Sequence, residues 1–356
     1  MKKVGILTFH DAHNYGAVLQ AYALKKYIKN LGYNVKIINY HHSDIPDGFA
    51  KKRKIDFAKV GMHKFSYFDH CTRWEKFALF INELTDNARK VYTSEKDLEK
   101  LDVDYWICGS DQIWNTDITL GFNKGYFLDF ETNGKKISYA VSMGIPNLEE
   151  KYEDEFKKAV NSLDCISVRE ETLKEYVEKF TDKKVERVVD PTLLLEPEDY
   201  EELIEPSPIV GKYLLIYALG PDERLTDIAK KIAKDKNLEI VELNDCKKNN
   251  YFCRQISNAG PEEFLSLIKY ADVVVTNSFH GTIFSILFKR DFYTITRLNR
   301  NSRMENVLNI AGMRDRLIDD VSDLQNVKDQ DFEKAFENIK NVKESSIDFL
   351  NSALDK

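Results

Sequence analysis

The sequence predicts an α/β protein of two domains, each built on an open, largely parallel sheet with helices on both faces. Short apolar runs of strand length alternate with helical patterns along most of the chain, as parallel sheets with crossover helices require. The 356 residues exceed what one core usually supports. Four of the eight prolines fall between Pro191 and Pro208, where they break both periodicities and mark a crossing between domains.

Taken in order, apolar runs at residues 4–9 and 35–39 flank a helical pattern at about 17–30, and Leu31-Gly32-Tyr33 supplies the stop: a βαβ unit. Further strands are expected at 105–108, 137–140, 165–168 and 187–189, separated by helical or loop segments such as 148–162. A second set begins at 212–218 and continues through 238–243, 273–276 and 292–296, with helices near 223–234 and 261–270. From about 331 to 354 the pattern is helical and strongly charged. The expected division is an N-terminal domain 1–195, a C-terminal domain 196–330 and a terminal amphipathic helix 331–356 packed on one of them.

Composition narrows the function. Hydrophobic residues make up 43% and charged residues 31%, the proportions of a soluble protein, and no apolar run approaches bilayer length. The start Met1-Lys2-Lys3 and its apolar continuation mimic a signal peptide, but His10-Asp11-Ala12-His13-Asn14 cuts the run short, so a first β-strand explains it better. A net charge of −7 argues against nucleic acid as a partner. The five cysteines form no C-x-x-C pair, which suggests neither a disulfide framework nor a zinc site; a reducing cytoplasm fits. Residues 41–76 interleave His41-His42 and Lys51-Lys52-Arg53-Lys54 with Phe57, Met62, Phe65, Tyr67, Phe68 and Trp74. This reads as a solvated loop followed by a helix packing its aromatics. The competing reading is a peripheral element touching the inner membrane face or a lipid-linked substrate.

The most informative stretch is Asn277-Ser278-Phe279-His280-Gly281-Thr282, between the apolar run 272–276 and an apolar-periodic segment. Strand, tight turn and helix follow in that order, so the N–H groups of the first helical turn, with Ser278 and Thr282, are expected to face an anion. His280 is then a candidate acid or base, the alternative being a helix-capping histidine. Asn14-Tyr15-Gly16-Ala17 stands at the first strand-to-helix passage, where Gly16 permits close backbone approach, but it is no dinucleotide fingerprint. Gly109-Ser110-Asp111-Gln112-Ile113-Trp114-Asn115 gathers a carboxylate, carboxamides, a hydroxyl and an indole, the groups that recognise sugar hydroxyls and ring faces. Against that, Trp114 serves equally as core and Asp111 as a helix cap. Ser142-Met143-Gly144 and Ser167-Val168-Arg169-Glu170 also end strands; Arg169 suits two-point recognition of carboxylate or phosphate, or an ion pair with Glu170 or Asp190. Arg297, Arg300 and Arg303 follow the strand 292–296 and are candidates to complete an anion pocket.

Together these segments, with Asp190-Pro191-Thr192 and Gly260-Pro261-Glu262-Glu263-Phe264, resemble the polysaccharide pyruvyl transferase family in consistent order along most of the chain. The resemblance implies a GT-B-like fold, two Rossmann-like domains with parallel sheets facing a central cleft. It also implies transfer of pyruvate from phosphoenolpyruvate onto two hydroxyls of a sugar, forming a cyclic ketal and releasing phosphate. It carries Arg169, His280 and Phe279 onto the positions the family uses around phosphoenolpyruvate. On this reading the catalytic residues are His280 and Arg169. Substrate contacts are expected from Asn14, Tyr15, Gly16, Ser110, Asp111, Trp114, Asn115, Ser142, Gly144, Ser278, Phe279, Gly281, Thr282, Arg297 and Arg303. No metal or cofactor is expected beyond phosphoenolpyruvate as donor, and the acceptor is a glycan or lipid-linked oligosaccharide. The alternatives are a nucleotide-sugar glycosyltransferase of the same shape and a glycan-binding protein without turnover.

Overall fold

Among the described residues, two six-stranded sheets, parallel at every pairing, organise the protein. The structure, a computed structural model, describes residues 1–41, 64–220, 222–244, 253–295 and 302–355. Contacts divide it into unit 1, Met1–Lys54, Phe80–Leu195 and Val342–Lys356, and unit 2, Ile55–Leu79 and Glu196–Asn341.

Unit 1 holds β1 (Lys3–Leu7), α1 (Tyr15–Asn30), β2 (Asn34–Ile37), the end of α2 (Lys64–Leu84), α3 (Glu95–Leu98), β3 (Tyr105–Cys108) and β4 (Lys135–Val141). It continues with α4 (Glu153–Ser162), β5 (Cys165–Val168), α5 (Glu171–Val177) and β6 (Val185–Arg187). The strand order is β2-β1-β3-β4-β5-β6. Every residue of β3 is buried, as a strand covered on both faces demands. α1 starts where Asn14 Oδ1 accepts from Ala17 N at 3.2 Å, and it stops at Gly32, whose φ of +93° a side chain would resist. Within β4 the pairing shifts between Ser138 and Val141, and Ala140 has φ +50°. Ser138 and Ser167 hydroxyls fill the interrupted ladder: Ser167 Oγ donates to Ser138 O at 2.8 Å, and Ala140 N donates to Ser167 Oγ at 3.3 Å.

Unit 2 holds β7 (Tyr213–Tyr217), α6 (Glu223–Lys236), β8 (Glu239–Leu243), β9 (Arg254–Ile256), α7 (Pro261–Tyr270) and β10 (Val273–Thr276). After them come α8 (Phe279–Leu287), β11 (Asp291–Ile295), α9 (Ser302–Ala311), β12 (Leu317–Ile318) and α10 (Phe332–Ala353), whose last residues count with unit 1. Its order is β12-β11-β10-β7-β8-β9. The edge strands β9 and β12 have three and two residues, too few for a periodic signal. α2 counts with unit 2 as far as Leu79: Asp69 Oδ2 accepts from Ser257 Oγ at 2.7 Å, and Lys76 pairs with Glu263. The basic run 51–54, with His42, Phe57 and Met62, lies outside the described residues. Among the described residues no helix is long and apolar enough to cross a membrane.

In each sheet one strand is flanked by neighbours reached in opposite directions. β1 lies between β2 and β3, and β7 between β8 and β10. The crevice beyond the carboxyl ends at such a switch point is where open α/β sheets bind ligands.

Candidate active-site edges

The carboxyl edge of unit 1 is built around a buried cation. Arg169, after β5, is 3% exposed; its Nη1 donates to Asp190 Oδ2 at 2.7 Å and to Ser110 Oγ at 3.3 Å, and its Nε donates to Glu170 Oε1 at 3.1 Å. Ser110 Oγ donates to Asp190 Oδ2 at 3.2 Å, and Ser142 Oγ to Glu170 Oε1 at 2.8 Å. Burial works against the guanidinium charge, but Glu170, Asp190 and Asp111 raise its pKa further still. One arginine thus ties the ends of β3, β4, β5 and β6 together. Thr8 extends the network to β1, since its Oγ1 donates to Ser110 O and accepts from Gln20 Nε2, each at 2.9 Å.

The Gly109-Ser110-Asp111 turn follows β3 at the switch point. Asp111 adopts φ +74° and bridges to Val141, its carbonyl accepting from Ser142 N at 3.0 Å. A left-handed conformation at a partly exposed aspartate is strain of the kind that functional turns retain. Asp111 and the exposed Asn14 are thus the expected residues that present polar groups outward here. Others turn inward. Trp114 is fully buried, stacked on Phe127 at 4.9 Å with Nε1 donating to Tyr126 O, so its ring is core and has no face left for a sugar. Asn115 is 2% exposed and pairs with Gln112 Oε1 and Asp117 N, while Tyr15 is buried at the start of α1 beside Gly16. Gly144, at φ +68°, lets the Gln112 side chain lie where a Cβ would stand.

In unit 2, β10 passes through Asn277 and Ser278 into α8. Ser278 is the N-cap, accepting from Gly281 N at 3.3 Å through Oγ, and its own N donates to Thr276 Oγ1 at 3.0 Å. Asn277 Oδ1 accepts from Leu219 N at 2.7 Å and so joins the ends of β10 and β7. Gly281 is required because a Cβ would meet Thr276 Oγ1 at 2.6 Å and the Tyr217 ring at 3.1 Å. His280 therefore sits in the first turn of α8 at the switch point, edge-on to Phe279 with ring centroids 5.1 Å apart. Thr282 does not face outward: its Oγ1 donates to Ser278 O at 3.0 Å and lies 2.9 Å from Thr294 Oγ1. The Arg303 guanidinium stands over the Phe279 ring at 5.9 Å, whereas Arg297 and Arg300 lie outside the described residues.

Two further residues approach this edge without any signal in the local sequence. Tyr217, the last residue of β7, is hydrogen-bonded to Ser278, and burial pushes its phenol up to about 12 against opposing help from the Arg73 charge and that hydrogen bond. Arg73 arrives from α2, with Nη1 3.5 Å from Asn244 O and its guanidinium over Phe77. Among the described residues no group of three or more histidines, cysteines or carboxylates comes together that could hold a metal ion.

Fold and edges define a GT-B-like α/β protein of two parallel-sheet units, each with a polar switch point. The chain belongs to the polysaccharide pyruvyl transferase family, whose description matches residues 14–299. Membership makes it a transferase of polysaccharide chemistry with a glycan acceptor. Among solved structures, an S. aureus MnaA–UDP complex is similar at TM-score 0.55 and 9% identity, covering 100% of this chain and 97% of that one. The Methanocaldococcus jannaschii UDP-GlcNAc 2-epimerase with UDP-GlcNAc and UDP is similar at TM-score 0.51 and 14% identity, covering 96% and 99%. At such identities the likeness is one of fold. No curated protein matches the chain.

Proposed function

We propose that the protein transfers pyruvate from phosphoenolpyruvate onto two hydroxyls of one glycan sugar, closing a cyclic ketal and releasing phosphate. Family membership over residues 14–299 carries this reading, and the placement of His280 in the first turn of α8 supports it. His280 protonates the methylene carbon of phosphoenolpyruvate, which makes the central carbon electrophilic. The N-terminal turn of α8 and the Arg303 cation favour the donor's negative charge. One hydroxyl adds to the central carbon, phosphate leaves, and the second hydroxyl completes the ketal. Arg169, committed to Asp190, Glu170 and Ser110, is a positioning residue that fixes the carboxyl edge of unit 1. Asn14 and Asp111 contact the acceptor.

The test is to incubate the protein with phosphoenolpyruvate and a panel of glycosides and to measure inorganic phosphate together with a product heavier by the pyruvyl group. Release of phosphate without such a product overturns ketal formation. Thermal shift separates the donor classes: phosphoenolpyruvate at a hundred times its Kd stabilises by about 2.7 kcal/mol, and UDP leaves the melting temperature unchanged. Stabilisation by UDP alone would instead support a nucleotide-sugar enzyme.

A further inference from the structure

Unit 1 carries a second cluster, beside the network of Arg169, that none of the roles above uses. Asp11 lies in the turn from β1 to α1, and Asn39 and His41 follow β2, the strand paired with β1. His41 Nδ1 is 3.1 Å from Asp11 Oδ2, and His41 Nε2 is 2.7 Å from the carboxamide atom of Asn39 assigned as Oδ1. His10 meets the same atom through Nε2 at 3.1 Å, with its Nδ1 3.1 Å from Thr8 O. The two imidazoles stand edge-on, centroids 5.6 Å apart.

Proton accounting decides the state of this group. A carboxylate and a carbonyl only accept, so each ring keeps its proton on Nδ1, and in the neutral form each presents a lone pair at Nε2. Both lone pairs converge on one carboxamide. An oxygen there would set a third acceptor against both lone pairs, at 2.7 Å from His41 and 3.1 Å from His10. Amide oxygen and nitrogen have the same shape, and turning Asn39 over exchanges an exposed 3.4 Å contact from its nitrogen to Ala88 O for its oxygen facing that carbonyl. With nitrogen toward the rings, Asn39 donates one N–H to each Nε2, and both ring nitrogens gain a donor without added charge.

We propose that His41, oriented by Asp11, is the general base that takes the proton of an acceptor-sugar hydroxyl. Its side chain is 39% exposed and that of Asp11 32%, while His10 is buried beneath them, so His41 is the member a sugar reaches. A neutral amide donor on Nε2 is readily exchanged for a hydroxyl. When it is, the ring has Nδ1–H on a carboxylate and Nε2 on the reacting O–H, the arrangement by which a carboxylate orients a histidine base. The O–H bond breaks, its proton passes to Nε2, and the oxygen forms a bond to the central carbon of the donor; the imidazolium is stabilised by Asp11. Over the whole reaction two hydroxyl protons are lost, one balanced by the proton gained at the methylene carbon and one carried off with phosphate. His10 and Asn39 are positioning residues that preset the tautomer.

This assignment rests on the pyruvyl-transfer reading, and the experiment separates the two. Wild type, His41→Gln and Asp11→Asn are compared for phosphoenolpyruvate binding by calorimetry and for transfer to a panel of methyl hexopyranosides. In His41→Gln, kcat for transfer is expected to fall about 10²-fold while the Kd for phosphoenolpyruvate stays within about twofold of wild type. In Asp11→Asn, kcat falls by a smaller factor, and the ¹⁵N shifts of His41 lose the pattern of a protonated Nδ1 and a bare Nε2 that wild type shows. Transfer at the wild-type rate by folded His41→Gln, or a His41 ring in wild type with its neutral proton on Nε2, overturns the assignment. Absence of pyruvylated product from wild type with every acceptor overturns the transfer reading, and the base with it.

Discussion

Arg169 and Asp190 form an ion pair of 2.7 Å with side chains 3% and 0% exposed, joining the carboxyl ends of β5 and β6. Replacing Arg169 by Met leaves the Asp190 and Glu170 carboxylates buried without their cation. The expected loss is about 3–5 kcal/mol of stability, read from urea denaturation. Arg169→Lys keeps the charge but loses the planar fork that reaches Ser110, Asp190 and Glu170 together, and should fall between.

His280→Ala should lower pyruvyl transfer by about 10²-fold or more. Because the imidazole is 7% exposed and packs on Phe279, the variant should also lose some stability in urea, and the rate is compared without denaturant at a temperature where it stays folded. Ser278 is the cap. Ser278→Ala should cost about 0.5–2 kcal/mol and reduce turnover as well, since it frays the turn that presents His280. Denaturation and steady-state rates on the same samples separate the two effects. A folded His280→Ala variant with unchanged rate removes the residue from the chemistry.

Gly144→Ala should be destabilising. A methyl group there runs into Gln112 Oε1, and φ of +68° strains any side chain; the strain alone is of the order of 1–3 kcal/mol. Gln112→Ala in the same chain removes the collision and leaves the strain, so the double variant should recover part of the loss in a thermal melt.

Alkali should unfold the protein through its buried phenols. Tyr217 is pushed up to about 12 from 10.0, chiefly by burial, and burial also raises Tyr40, Tyr126, Tyr139 and Tyr213. A group whose folded value is raised contributes stability that is fully present below its unfolded value and disappears as pH climbs through the folded one. For Tyr217 that window runs from about 10 to about 12 and is worth about 2–3 kcal/mol. Ultraviolet titration should show phenolate forming in two stages, the second coincident with loss of the far-ultraviolet helical signal.

Much of the fold was legible because strands buried on both faces leave unbroken apolar runs. Tyr105–Cys108, Cys165–Val168 and Val273–Thr276 stand where those runs stand, and α7 spans the expected Pro261–Tyr270. β9 and β12 left no such trace, being two or three residues on sheet edges. Of the candidate site, strand, turn, helix and His280 were readable in one continuous stretch, whereas the cap is Ser278 and not the histidine. Side-chain direction was not: Trp114 and Asn115 lie within four residues of the partly exposed Asp111, yet both are buried. Asp11 and His41 lie far apart in sequence and meet only through the parallel pairing of β1 with β2, a relationship that no local pattern contains.

α10 gives residues 342–356 to unit 1 after the chain has completed the sheet of unit 2. Ser346 Oγ there accepts from Val189 N at 3.0 Å, and Leu354 O accepts from Tyr33 Oη at 2.7 Å. During synthesis, then, the unit whose sheet emerges first is the last to be covered: residues 1–195 leave the ribosome with part of their packing still untranslated, and unit 2 has the opportunity to fold ahead of them. A truncation at residue 341 would injure the N-terminal half of the molecule rather than the half from which the residues were cut.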